Sequence, residues 1–201
     1  MAFPEFFDAV PRIRVRDPLA QFLGAAAEGV FEYGYVDAVK LAGHSCPTVA
    51  AAYLLTRAAL RALYPDALPE RGGVRVELRA DRLDGVTGVT ANVIGLLTGA
   101  ADATGFKGLG GRFDRRGLLV FGADLSTQLR FTRADTGAAV GASARLDRLP
   151  ADPRLSALVQ RCVAGLASGE EATLFHALWQ GRVERLAVGH ADDPEIFVVE
   201  R

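Results

Sequence analysis

GLLVFGADLSTQLRFTRADTGAAVGASARL, residues 117–146, holds three short apolar or alternating runs separated by residues that favour turns. Residues 117–122 (GLLVFG), 128–133 (QLRFTR) and 138–146 read as strands, and a succession of short strands at this spacing predicts an antiparallel sheet. Upstream, VRVEL (74–78) alternates β-branched with charged side chains, the period of a half-buried strand.

Helical patterns flank this run. From Pro47 onward, Val49, Tyr53, Thr56, Leu60 and Leu63 recur at spacings of three and four, and the pattern stops at Tyr64-Pro65. Asp17-Pro18 supplies an N-cap and a first-turn proline for a short helix expected to close at Gly29. VFEYGYVDAVKLAG (30–43) reads as a strand and then a helical turn leading into Gly43-His44, and DGVTGVTANVIGLLTG (84–99) as a loop feeding a helix. Two more helices are expected, from about Asp152 to Ser168-Gly169 and from Glu170 to about Val188, ahead of the tail HADDPEIFVVER. Helices segregated from a mostly antiparallel sheet predict an α+β fold. The expected division is a core domain over 1–150 and a helical extension over 151–201, packed on the core or on a dimer partner.

Composition narrows the function. Half of the 201 residues are hydrophobic, 23% are charged and the formal net charge is −1, the profile of a globular domain with a substantial core. The basic residues are nearly all arginine, scattered and matched by acids, which argues against nucleic acid. No apolar run of about 18 residues exists to span a membrane, and the start lacks the basic-then-apolar layout of a secretory signal, so a cytoplasmic location is expected. Cys46 and Cys162 stand far apart without a secretory context and are read as separate thiols. Leu155, Leu158, Val159, Cys162 and Leu166 form one helical stripe, which gives Cys162 a structural place.

GHSCP (43–47) carries the chemistry. Cys46 precedes a helix-starting proline, so its sulfur sits where unpaired backbone N–H groups and the helix dipole favour a thiolate. In an extended approach, side chains two apart point the same way, and His44 and Cys46 then converge on one small target such as a divalent metal. Gly43 permits the sharp turn into that approach. Zinc takes about three or four protein ligands, and no second Cys-x-x-Cys or His-x-x-x-His completes the set; His190 and His176 are the remaining histidines available as ligands. On their own patterns, His176 falls at the edge of its helix's apolar face, His190 is a solvated residue near a helix C-terminus, and Trp179 lies on a stripe that is core or a dimer surface.

GHSCP, the apolar helix behind it, the following strand, and IGLLTGAADATGFKGLGGRFDRRGLLVF (94–121) together resemble the FmdE family, which takes its name from formylmethanofuran dehydrogenase, over residues 38–122. Gly43-His44-Ser45-Cys46-Pro47 keeps the first family motif whole. Thr98-Gly99 keeps part of the second, but family cysteines fall on Ala100 and near Val89, a family acid on Asn92 and a family glutamine on Gly95. The resemblance implies an α+β core, commonly a homodimer, with a cleft that gathers the corner and downstream cysteines around a metal, typically zinc. With alanine and valine at the cysteine positions, a one-cysteine, one-histidine site with open positions for water or a small-molecule ligand is what remains.

Three functions follow as expectations. One is a metal-assisted enzyme holding a divalent ion on His44 and Cys46, with Lys107 binding or orienting an anionic group and Asn92 supplying a hydrogen bond. Another is a noncatalytic accessory or carrier that delivers a metal, a metal cofactor or a one-carbon carrier to an oxidoreductase. The third is a metal-free reactive cysteine, Cys46, activated by the helix end and His44.

Overall fold

The computed structural model describes residues 3–201. A 3-10 turn (Glu5–Ala9) leads into β1 (Ile13–Arg16), which pairs antiparallel with β2 (Val30–Tyr33), Ile13 opposite Tyr33 and Arg16 opposite Val30. Ile13 and Val15 are buried while Arg14 and Arg16 face out, a period-two signal only four residues long. Between these strands α1 (Pro18–Phe22) begins on the Asp17 cap as expected. It ends at Phe22, well before Gly29, because the chain turns off through Gly24 at φ +67° and reaches Gly29 by a separate 3-10 turn.

The remaining order is α2 (Tyr35–Ala42), α3 (Pro47–Leu63), β3 (Val74–Leu78), α4 (Thr87–Thr98), β4 (Leu119–Val120), β5 (Leu129–Arg133), β6 (Ala139–Ala144), α5 (Leu155–Val163), α6 (Gly169–Glu184) and β7 (Phe197–Glu200). The second sheet runs β4-β3-β5-β6-β7, antiparallel except for the β3–β4 pair. The fold is α+β, with a mostly antiparallel sheet and helices packed on it. α3 is its axis: eleven of its seventeen residues are buried, so the helix is core on most of its circumference, against α4 and against the sheet at β6 and β7.

Several elements differ from the sequence expectation for local reasons. In residues 117–122 only Leu119 and Val120 pair, since Gly117 and Gly122, at φ +69° and +67°, turn the chain at both ends. α5 starts at Leu155, because the Asp152 carboxylate accepts the Arg154 N–H in a tight turn. α6 begins on a capping box in which Ser168 Oγ accepts the Glu171 N–H and Glu171 accepts the Ser168 N–H, and it closes in a π turn over Arg185–Gly189. The tail is not irregular: Phe197 lies opposite Ala144, and β7 completes the sheet that the first 150 residues begin. Residues 145–196 therefore leave and rejoin the sheet at one point. Among the described residues, no helix is long and apolar enough to cross a membrane.

Candidate functional site

The GHSCP corner is built by two helix ends. α2 stops at Gly43, whose φ of +74° returns its N–H to the Val39 carbonyl and swings the chain away. The chain then runs extended into α3, with Cys46 as the N-cap at φ −153° and ψ 167° and Pro47 in the first turn. Cys46 Sγ takes the capping role usually filled by an oxygen, accepting the Val49 N–H at 3.5 Å.

Because the approach is extended, alternate side chains part to opposite sides. His44 and Cys46 share one side, with His44 Nε2 3.3 Å from Cys46 Sγ. Cys46 is buried and His44 is exposed. His44 Nδ1 lies 2.9 Å from the Ala42 carbonyl, which can only accept, so Nδ1 carries a proton, and in the neutral ring Nε2 offers its lone pair toward the sulfur.

Ser45 points the other way. Its Oγ donates to Gln180 Oε1 at 3.0 Å and accepts from the buried Tyr35 hydroxyl at 3.0 Å. Burial pushes the Tyr35 phenol well above its ordinary range, against the opposing pull of the Ser45 hydrogen bond, so it stays a donor. The Ser45 carbonyl accepts the Trp179 indole N–H at 2.9 Å and the Gln180 amide at 3.4 Å. Trp179 is thus partly buried against the core and pins α6 over the corner.

A tetrahedral zinc bound by one sulfur and one imidazole nitrogen holds those atoms about 3.5 Å apart. The 3.3 Å pair is close to that spacing, and the Ala42 carbonyl supplies the outer contact that orients a metal-binding imidazole. The donor type and spacing fit; the donor count is two. Among the described residues, no group of three or more His, Cys, Asp and Glu side chains is placed to hold a metal ion.

Among the described residues, neither His190 nor His176 joins the pair as a third ligand. His190 Nδ1 meets Asp193 Oδ2 at 2.8 Å beyond the π turn, and His176 is exposed beside the Phe175 ring. Asn92 is on the exposed face of α4, and Lys107 is exposed in the turn after it. Val89 packs on the core, Ala100 is buried and Cys162 is half-buried on the α5 stripe beside Leu158. Sequence reasoning missed Ser45, Tyr35 and Gln180, although the alternation that puts residues 44 and 46 together also sends residue 45 to the opposite side. One turn into α3, Thr48, Ala51 and Leu55 line an apolar cavity of about 390 Å³ with Leu78, Thr87 and Thr90. No protein-family model matches the chain, and no curated protein matches it.

Proposed function

We propose that this chain is an FmdE-like protein of the cytoplasm whose GHSCP corner binds a divalent, zinc-like ion through Cys46 and His44. The observation that carries the reading is the oriented pair: a thiol sulfur and an imidazole lone pair 3.3 Å apart, with the ring held by the Ala42 carbonyl. Two protein donors leave the other coordination positions to water and to a small-molecule ligand. A divalent ion supplies Lewis acidity and an acidified water when bound. The chain's own parts are to present sulfur and nitrogen, to hold the corner rigid through Ser45, and to shield Cys46. The implied homodimer is supported by exposed Val163, Leu166 and Leu174 on the α5–α6 hairpin, and light scattering would measure it.

Elemental analysis after purification without chelator tests the metal: about one zinc per chain is expected, lost in both Cys46→Ser and His44→Ala. Unchanged stoichiometry in both variants removes the corner from the reading.

A second reading is favoured by the contact between Sγ and Nε2 itself. Without an ion, Cys46 S–H donates to Nε2, and transfer of that proton leaves a sulfur lone pair to attack an electrophile while imidazolium keeps the proton. This reading expects iodoacetamide to alkylate metal-free protein at Cys46, with a rate that falls about tenfold in His44→Ala. Equal rates would exclude it.

A further inference from the structure

Away from the corner, two arginines converge on one buried carboxylate. Asp17 Oδ2 accepts from Arg71 Nη1 at 2.8 Å, and Oδ1 accepts from Arg115 Nη2 at 2.8 Å and from the Leu19 and Ala20 N–H groups at 3.0 and 3.1 Å. The carboxylate is saturated, yet two guanidiniums against one carboxylate leave the cluster with a net positive charge. Arg115 is only 6% exposed.

The chain makes room for that guanidinium. A Cβ at Gly99, where φ is +71°, would lie 2.1 Å from Arg115 Nη1, and one at Gly72, where φ is +90°, would lie 2.7 Å from its Cζ. Arg115 is held between these two turns with only its Nη2 meeting a protein acceptor among the described residues. Among those residues no fully buried side-chain nitrogen lacks a partner, so the unspent Nε and Nη1 donors keep some exposure, and Arg115 lines two clefts.

One of these clefts, of about 450 Å³, has Asp17, Arg71 and Arg115 as its charged members, and Leu19, Leu23 and Phe106 in its wall. Leu23 and Phe106 are 60% and 43% exposed at its rim. Neither His44 nor Cys46 lines it. We infer that this cleft binds a small carboxylate with an apolar tail, its carboxylate on a free guanidinium N–H of Arg115 and its tail against Leu19, Leu23 and Phe106. A charge-assisted hydrogen bond from the guanidinium holds the carboxylate, the anion offsets the cluster's charge, and the rim covers its apolar side chains on the tail.

Calorimetric titration of the full chain with hexanoate, hexan-1-ol and inorganic phosphate tests this site. Hexanoate is expected to bind saturably, one per chain, and more tightly than either control. Arg115→Met and Leu23→Asp are each expected to weaken it by about tenfold or more. Leu23→Asp changes an exposed side chain outside the ion cluster, so it remains informative if Arg115→Met fails to fold. Absence of hexanoate binding, equal affinity in Leu23→Asp, or hexan-1-ol binding as well as hexanoate would overturn the proposal. Phosphate binding more tightly than hexanoate would overturn the assignment of a tailed carboxylate.

Discussion

Asp17 does two things at once: it caps α1 and it offsets part of the charge of buried Arg115 and half-buried Arg71. Burial alone would raise its pKa, but hydrogen bonds from Arg71, the Ala20 N–H and Arg115 outweigh burial and hold the carboxyl below its ordinary range. Its folded pKa therefore lies below the unfolded value of about 3.9, and the stabilisation is complete above that value and lost as pH falls through the folded one. Asp17→Asn is expected to cost about 3 kcal/mol at neutral pH, because both guanidiniums lose their carboxylate. Urea midpoints measured from pH 6 down to pH 2 should show the gap between wild type and Asp17→Asn closing at the acid end; a constant gap would mean that charge is not the cause. Glu77 is a quieter case of the same chemistry. Arg130, its register partner on β5, forks onto it at 2.6 and 2.8 Å, and those hydrogen bonds pull its pKa down against burial.

Among the α-helices, α6 has the least footing in the core for its length: Val183 is its one fully buried residue. Its hold on the corner runs through Trp179 and Gln180 to Ser45. Trp179→Phe keeps most of the ring and removes the indole donor, so a loss of about 1 kcal/mol in stability is expected, together with faster alkylation of Cys46 by iodoacetamide. Unchanged alkylation would show that α6 does not shield the thiol. Ser168→Ala should likewise cost about 1 kcal/mol by thermal melting, since the reciprocal cap with Glu171 is lost. The elements that sequence made legible were those with their own periodicity and their own stop. α3 repeats over four turns between Pro47 and Tyr64-Pro65, and α4 is legible despite its glycines because Val89, Val93, Leu96 and Leu97 fit the helical period, of which Val93 and Leu97 are buried. IRVR and FVVE were too short to declare a period, and what makes each a strand is a partner elsewhere in the chain. At the corner, extended geometry brought His44 and Cys46 together as expected. The Ser45 contacts depend on where α6 crosses, which no local pattern records.

For the whole molecule, the sheet is closed by residues distant in sequence. Phe197 is 5% exposed and lies opposite Ala144, and the Arg145 N–H donates to the Ile196 carbonyl at 2.8 Å. Phe197→Ala is expected to lower unfolding free energy by about 3 kcal/mol in a urea titration. A change below about 1 kcal/mol would indicate that β7 adds little to the core.

The placement of Val183 gives α6 a mechanical character. Gln180 lies about 4.5 Å along the helix from Val183 and Glu170 about 20 Å, at 1.5 Å per residue. Were α6 to tilt as a rigid rod about Val183, about 4 Å of travel at the Glu170 end would reach Gln180, and with it the Ser45 contacts, as about 1 Å.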